Sequence, residues 1–361
     1  MRVVQVSPFY YPVVGGVEKV VREISEYAVK IGHEAMVITY NRTRDGKRLS
    51  EEEERNGVRI FRVNPNFSWG HGTFSTSLPK QVRRMRGDVI HVHVWRHPHV
   101  FQLSGEKGVR ILQPHSPFYK LDQTGLINYA YYKMADNLLG KFMRTYNVIA
   151  ITPQEKDILS KKFKINSTVI PNGVEDNLFS DDRYRGDYYL MIGRISREKN
   201  VMALIEAYKL CKPDRPAIIV GPDGGLGDQL NMKIRESRVN VQYIGEVSYE
   251  RKVDLIKKSM ALVSTSPFEG FGLSIAEASA MGKPAILVKG GGQEYASPPG
   301  VGSIAINNDP ESLCKAMKEL DDDYTWSKLS IGARKWAENF RLSTTLPKYF
   351  NLYELLAGNL T

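Results

Sequence analysis

The segment Ser266–Ala278 holds the densest group of residues that could do chemistry. Glu269 lies in a glycine-rich turn after a predicted strand, and Glu277 follows one to two helical turns into the next predicted helix, so both carboxylates can face one ligand. Carboxylates accept hydrogen bonds from hydroxyl groups, and backbone N–H groups at a helix N-terminus bind phosphate. The turn offers such N–H groups from four residues: Gly270, Phe271, Gly272 and Leu273.

Two cations lie between another predicted strand and the helix that begins near Val201. Arg194 and Lys199 are placed at the strand end, beside a helix N-terminus, as a cradle for a diphosphate would be. The alternative is a pair of surface charges. We expect Arg197, in the same loop, to be solvated.

A further loop, between the first strand and the first helix, carries Gly15 and Gly16. Adjacent glycines let the backbone approach a ligand closely, and the helix start adds free N–H groups. A tight turn without a ligand is the alternative interpretation.

Histidines are concentrated in one stretch, at positions 91, 93, 97 and 99. His91 and His93 share one face of a predicted strand, but no Cys, Asp or Glu accompanies them between Val89 and Val100. The pattern therefore favours hydrogen-bonded histidines over a metal site. His115 follows another strand, where it is either a substrate contact or a structural histidine.

The elements that must position these residues alternate between short β-branched runs and helical patterns, which indicates parallel sheets covered on both faces. Apolar residues at helical spacing from Val17 to Ile31, ended by Gly32, predict the first helix. The fold class is therefore α/β, with domains at 1–180 and 181–344 and a helix at 345–361 packing back on the first. Strands are predicted at Val3–Val6, Met36–Thr39, Val58–Val63, Val89–Val94, Val109–Leu112, Val148–Thr152, Tyr188–Ile192, Ala217–Val220, Val241–Ile244, Ala261–Ser264 and Ala285–Val288.

Composition narrows the class of protein. With 42% hydrophobic and 25% charged residues among 361, the chain is globular rather than disordered. The net charge of +10 suggests an anionic partner, and residues 80–164, with 15 basic and 6 acidic side chains, carry most of it. Two cysteines exclude a disulfide framework and suit a reducing cytoplasm, and we find no signal sequence or membrane-spanning run.

Together these motifs resemble the retaining glycosyltransferases of family 4, which have the GT-B fold of two doubly wound Rossmann-like domains facing a central cleft. The most specific match is the pair Glu269 and Glu277 with seven residues between them. The others, in the family's order, are Gly15-Gly16, Asp88–His93, His115, Val169–Val174, Gly193-Arg194, Glu198–Asn200, Gly221–Gly224, Tyr243–Gly245 and Gly290–Glu294.

The resemblance implies a role for each site residue. Arg194 and Lys199 would hold the donor diphosphate, and Glu277 the ribose hydroxyls. Glu269, with the backbone of Phe271–Leu273, would hold the transferred sugar and phosphate. The remaining expected contacts are Gly16 with the diphosphate or sugar, His115 with the sugar, and Val247 with the nucleobase.

The implied activity is retaining transfer of a hexosyl residue from a nucleotide-diphosphate sugar, with UDP-sugars favoured and GDP-mannose next, to a saccharide or lipid-linked acceptor. No divalent metal, other cofactor or nucleic acid is expected. We predict a cytoplasmic protein that binds peripherally to an anionic membrane surface. A sugar-nucleotide epimerase or hydrolase, and a non-catalytic anion-binding module, are the alternatives. The candidate acceptor-binding residues are His93, Lys80, Arg83 and Arg84.

Overall fold

The computed structural model describes residues 1–69, 72–115, 126–180 and 184–358. The chain divides into two compact units. The first contains residues 1–115, 127–173 and 343–358, and the second is built on Val174–Leu342. The two ends of Val174–Leu342 are paired through their backbone, because Val174 N donates to Phe340 O at 2.7 Å and Leu342 N donates to Val174 O at 2.9 Å.

The first unit is built on an eight-stranded sheet with the order β10-β9-β8-β7-β1-β2-β4-β3, parallel except that β3 pairs antiparallel with β4. All six strands predicted in this half are present. Strands β5 and β6 form a separate hairpin. The bounds are β1 Arg2–Val6, β2 Glu34–Tyr40, β3 Glu52–Arg55, β4 Val58–Val63, β5 Phe67–Trp69, β6 Gly72–Phe74, β7 Val89–His93, β8 Val109–Gln113, β9 Asn147–Ala150 and β10 Ser167–Val169.

Helices of the first unit pack an apolar stripe against the sheet. The predicted first helix is confirmed as α1, Gly16–Lys30, and the chain leaves it through Gly32 at φ 84°. Its buried apolar residues recur at helical spacing. The other helices are α2 Ser77–Met85, α3 His99–Gln102, α4 Leu126–Met143 and α5 Pro153–Ile158.

The last helix of the chain, α13 (Leu342–Gly358), belongs almost entirely to the first unit. It buries Tyr349, Phe350 and Tyr353, and the Phe350 ring packs edge-on against Tyr27 of α1 at 5.3 Å between centroids. The apolar positions that predict a helix from Pro347 to Leu356 are thus the face that packs on this unit.

The second unit is built on six parallel strands in the order β13-β12-β11-β14-β15-β16. The five strands predicted here are present, and β16 adds an edge. The strands are β11 Tyr188–Ile192, β12 Ala217–Val220, β13 Val241–Tyr243, β14 Ser259–Ser264, β15 Ala285–Val288 and β16 Ser303–Ile306. The helices are α6 Met202–Cys211, α7 Gly227–Ser237, α8 Tyr249–Lys258, α9 Leu273–Ala280, α10 Gln293–Ala296, α11 Pro310–Leu320 and α12 Asp323–Ala337.

The two cysteines, which in the sequence suit a reducing cytoplasm, form one disulfide in the structure. Cys211, at the end of α6, and Cys314, on α11, form a disulfide with a Cα–Cα distance of 5.8 Å. Residues 103 apart in sequence are brought together because α6 and α11 pack on the same sheet. Among the described helices, none has the length and apolar character needed to cross a bilayer.

Candidate active site

The loops that follow β11 and β14 are bonded to each other at the carboxyl edge of the second sheet. β11 lies beside β14, so their loops leave the sheet side by side. Thr265 Oγ1 donates to the carbonyl oxygens of Lys199 (3.0 Å) and Asn200 (2.9 Å), and Ser266 Oγ donates to Glu198 O at 3.2 Å. The two loops that carry the predicted cations and carboxylates are therefore one structural feature.

Glycines allow the loops after β12 and β13 to join this group. Gly221 has φ 148°, and a Cβ there would lie 2.0 Å from the carbonyl oxygen of Gly193. On the other side, Gly221 N donates to Gly245 O at 2.9 Å. Gly224 is less tightly confined, since a Cβ there would lie 2.7 Å from Cγ of Arg194 and 2.9 Å from the carbonyl oxygen of Ile195. These positions need glycine because backbones approach closely there.

Lys199 and Glu269 form an ion pair across the two loops, with Nζ 2.5 Å from Oε1. Both side chains are partly buried, whereas Arg194 is exposed and has no carboxylate partner in the described part of the chain. Two predicted site residues from distant parts of the sequence are thus in contact. Lys199 and Arg194 present positive charge at the edge where parallel α/β sheets bind ligands.

Glu277 is almost entirely buried on α9 and forms an ion pair with Lys252, whose Nζ lies 2.7 Å from Oε2 of Glu277. The sequence reasoning missed Lys252. The signal that could have found it is position, because Lys252 lies in the first turns of α8, close after the loop that contains Val247. Val247 itself is partly exposed.

At the start of α9, backbone N–H groups rather than side chains are available to bind a ligand. Gly272 caps the helix at φ 85°, and Ile275 N donates to its carbonyl, so the N–H groups of Leu273 and Ser274 precede the first intrahelical bond. The Phe271 ring is buried against Phe340, at 5.2 Å between centroids. Its backbone is therefore the part that faces the turn.

The late glycine element, Gly290–Glu294, supports Glu269. Gly292 N donates to Glu269 O at 2.8 Å, and a Cβ on Gly291 would lie 2.9 Å from Glu269 N. Gly290 N in turn donates to Glu294 Oε2 at 3.1 Å. The element fixes the backbone that carries the carboxylate.

In the first unit, the glycine loop before α1 lies beside a side-chain ion pair. A Cβ on Gly15 would lie 2.2 Å from Oε2 of Glu18, whose Oε1 accepts from Arg44 Nη2 at 2.6 Å. Both groups are the ends of flexible side chains that can shift, so this contact does not by itself require glycine. Gly16 is the first residue of α1.

Two histidines, one fully buried and one partly exposed, form a pair at the carboxyl ends of β7 and β8. His93 Nδ1 lies 2.9 Å from His115 Nε2, and His93 Nε2 lies 2.6 Å from Gln5 Oε1. Burial lowers the pKa of His93 well below its usual range and that of His115 to about 3, so both rings are neutral. His115 is partly exposed and has the left-handed φ of 51°.

Two family models match nearly the whole chain. The model for glycosyl transferases group 1 matches residues 180–341, and that for glycosyltransferase family 4 matches residues 14–178. The protein belongs to this family of glycosyltransferases. The carboxyl-edge loops of its second unit are the candidate active site of this glycosyltransferase.

Relatives and solved structures agree with this assignment. The glycosyltransferase is 25% identical to the O-antigen chain mannosyltransferase C of Escherichia coli, over 99% of each chain. Its structure superimposes on the sucrose-phosphate synthase of Thermosynechococcus elongatus with a TM-score of 0.81, at 19% identity over 99% of each chain. Anabaena HepE, solved with UDP and glucose, gives 0.76 at 17% identity, over 99% of this chain and 100% of HepE. These likenesses confirm the predicted GT-B fold.

The predicted acceptor-binding residues of the glycosyltransferase are not brought together. His93 has no exposed surface and both its ring nitrogens are engaged, so it cannot contact an acceptor directly. Arg83 and Arg84 lie at the opposite edge of the sheet, because Arg2, at the start of β1, donates to the carbonyls of Met85 and Arg86 just beyond them. A crossover helix runs antiparallel to its strands, which returns its C-terminus to their amino ends. Lys80 is exposed on the same helix.

Proposed function

We propose that the protein transfers a hexosyl residue, with retention of configuration, from a nucleotide-diphosphate sugar to a saccharide or lipid-linked acceptor. The observation that supports this most is a pair of lysine–carboxylate contacts: Lys199–Glu269 joins the two bonded loops, and Lys252–Glu277 joins α8 to α9. A bound donor would replace the partners within both pairs. Its diphosphate would form an ion pair with Lys199, and its sugar and ribose hydroxyls would donate hydrogen bonds to Glu269 and Glu277.

The chemistry proposed for this edge is electrostatic. When the nucleoside diphosphate leaves, negative charge develops on its phosphate, and cations with oriented N–H groups stabilise such charge in place. Arg194, Lys199 and the start of α9 would supply that stabilisation without a divalent metal. Retention would follow from attack on the face that the phosphate leaves, with the phosphate assisting deprotonation of the acceptor.

The donor is testable by thermal shift. UDP-glucose and UDP-N-acetylglucosamine are the first probes, and GDP-mannose is next because one relative is a mannosyltransferase. A donor at about 100 times its dissociation constant adds roughly 2.7 kcal/mol to the free energy of unfolding. Lys199→Ala should clearly reduce the shift at the same donor concentration, and Arg197→Ala, on the same turn, should keep it. No shift with any UDP-, GDP- or ADP-sugar would contradict the proposal.

Incubation with donor alone separates transfer from epimerisation or hydrolysis. A transferase should release nucleoside diphosphate slowly until an acceptor is added. Complete conversion of the donor to an epimer without acceptor would instead establish the epimerase alternative.

We further propose that the acceptor is presented at an anionic membrane surface that α4 contacts. Exposed apolar side chains recur on this helix at intervals of four or eight residues, and Lys133, Lys141 and Arg144 are exposed beside them. Such a face, apolar with a basic border, suits an anionic lipid interface. The stripe consists of Leu126, Met134, Leu138 and Phe142, which are 73%, 53%, 59% and 37% exposed.

Sedimentation with vesicles tests this surface. Binding to phosphatidylglycerol vesicles should be stronger than to phosphatidylcholine vesicles and should weaken with salt. Leu138→Ser should reduce it, whereas Ile331→Ser, an exposed apolar position on α12 in the second unit, should not. Equal binding by all three proteins would rule out α4 as the contact.

A further inference from the structure

The residues that surround His115 form a chain of hydrogen bonds across three neighbouring strands. Gln5 is on β1, His93 ends β7, and His115 follows β8, in sheet order. The contacts are 2.6 Å from Gln5 Oε1 to His93 Nε2 and 2.9 Å from His93 Nδ1 to His115 Nε2. Gln5 and His93 are fully buried, so water does not compete for these groups.

The chain has one direction, which the amide of Gln5 sets. Its Oε1, and not its Nε2, is the atom that lies against His93 Nε2. An amide oxygen can only accept, so the proton on His93 is at Nε2.

The consequence passes from ring to ring. A neutral imidazole carries one proton, so His93 with its proton at Nε2 has a bare Nδ1 that accepts from His115. His115 then holds its proton at Nε2, and its own Nδ1 is left as an acceptor.

We propose that Gln5 and His93 are positioning residues that hold His115 as the Nε2–H tautomer, with Nδ1 free to accept a hydrogen bond from a sugar hydroxyl. The tautomer is a property of the ligand-free protein. Its use rests on the proposed function and on the contact between His115 and the transferred sugar that the family resemblance implies. His115 also has a left-handed backbone conformation, which is uncommon outside glycine.

The tautomer can be measured without substrate. In a long-range ¹H–¹⁵N correlation spectrum of protein labelled with ¹⁵N-histidine, His115→Gln identifies the His115 signals among those of the seven histidines. We expect a proton on Nε2 and none on Nδ1 for both His115 and His93. A proton on His115 Nδ1, or a doubly protonated ring at pH 7.5, would overturn the proposal even if the enzyme is active.

Two variants of similar shape test the positioning role. His93→Asn keeps an acceptor oxygen close to the position of Nδ1, and His93→Leu removes it. In His93→Leu we expect mixed tautomers of His115 and a fall in kcat of about tenfold, with KM nearly unchanged, for hydrolysis of whichever of UDP-glucose and GDP-mannose is turned over. His93→Asn should restore both readouts. Equal kcat and one unchanged tautomer in the two variants would refute the positioning role.

The failure of this inference is distinguishable from failure of the proposed function. If neither donor is turned over, the spectra of the wild type and His93→Asn still decide the tautomer. If His93→Leu does not fold, Gln5→Leu removes the first acceptor of the chain and should likewise mix the His115 tautomers. If folded Gln5→Leu keeps the same single tautomer of His115, the Gln5 amide does not determine that tautomer.

Discussion

Lys199 and Arg197 lie on the same short helical turn but in different surroundings. Lys199 is partly buried and paired with Glu269, while Arg197 is exposed. We predict that Lys199→Ala loses roughly 1.5–3 kcal/mol of charge-assisted interaction with the diphosphate, about 10–150-fold in donor affinity or rate. Arg197→Ala should stay within about twofold. Equal losses in both variants would mean that only the overall positive charge matters.

Lys252 should contribute to the stability of the ligand-free protein, because it neutralises Glu277, which is 1% exposed. Lys252→Met leaves that carboxylate buried without its cation, which costs about 3–5 kcal/mol for a fully buried pair and less here, since Lys252 itself is 22% exposed. Urea unfolding should show a loss of about 2–3 kcal/mol, and Lys252→Arg should recover most of it. Wild-type stability in Lys252→Met would show that Glu277 has sufficient other partners.

Single residues also show how far the sequence could lead. The sequence could predict which charged residues lie near the carboxyl edge of the second sheet, because each belongs to a short segment that combines a strand end, a turn and a charge. These residues are Glu269, Glu277, Arg194 and Lys199. The contact of Lys252 with Glu277 and the contacts of His93 could not be predicted, because they depend on which strands become neighbours. The requirement for glycine at Gly221 likewise comes from another loop, that of Gly193.

Among the elements, strands were easier to predict than the placement of charges on helices. Buried parallel strands are continuous β-branched runs, so their positions are local information. The direction of a crossover helix is not, and this is why Arg83 and Arg84 lie at the amino edge of the sheet, away from His115. Short edge strands such as β3, with Glu52 to Arg55, lack the apolar pattern altogether.

The start of α5 carries a carboxyl group whose ionisation should be visible in stability. Glu155 Oε2 accepts from Ile151 N at 2.7 Å, and burial raises the pKa of this side chain to about 8. The folded protein keeps the proton that the unfolded chain loses above about pH 4.5, so the free energy of unfolding falls as pH rises from there towards 8.

Glu155→Gln cannot ionise, so we predict that its stability relative to wild type rises between pH 5 and 8, by up to about 1.4 kcal/mol per pH unit. Denaturant unfolding at several pH values measures the difference, in which the contributions of other groups cancel. Asp157→Asn, exposed on the same helix, is the matched control and should give a flat difference. A flat difference for Glu155→Gln would mean that Glu155 ionises normally.

At the scale of the whole molecule, the disulfide between Cys211 and Cys314 lies within the second unit. The bond between Cys211 and Cys314 closes a loop of about a hundred residues, which in the chain-entropy model stabilises by about 4.7 kcal/mol. We predict that dithiothreitol lowers the melting temperature of the second unit, followed through Trp326 and Trp336, and that native protein shows no titratable thiol before reduction. A Cys211→Ala/Cys314→Ala variant should be insensitive to reductant. Two titratable thiols in the native protein would contradict the bond and restore the sequence expectation.

The paired backbone at Val174 and Leu342 has a consequence for how such enzymes diversify. Since the chain enters and leaves the segment Val174–Leu342 through adjacent, hydrogen-bonded residues, that segment is an insertion with neighbouring ends. A splice at these two points would exchange the proposed donor-binding module as a single cassette. If the proposed division of roles holds, recombination at this junction changes the sugar that is donated while the first unit, including α13, is inherited unaltered.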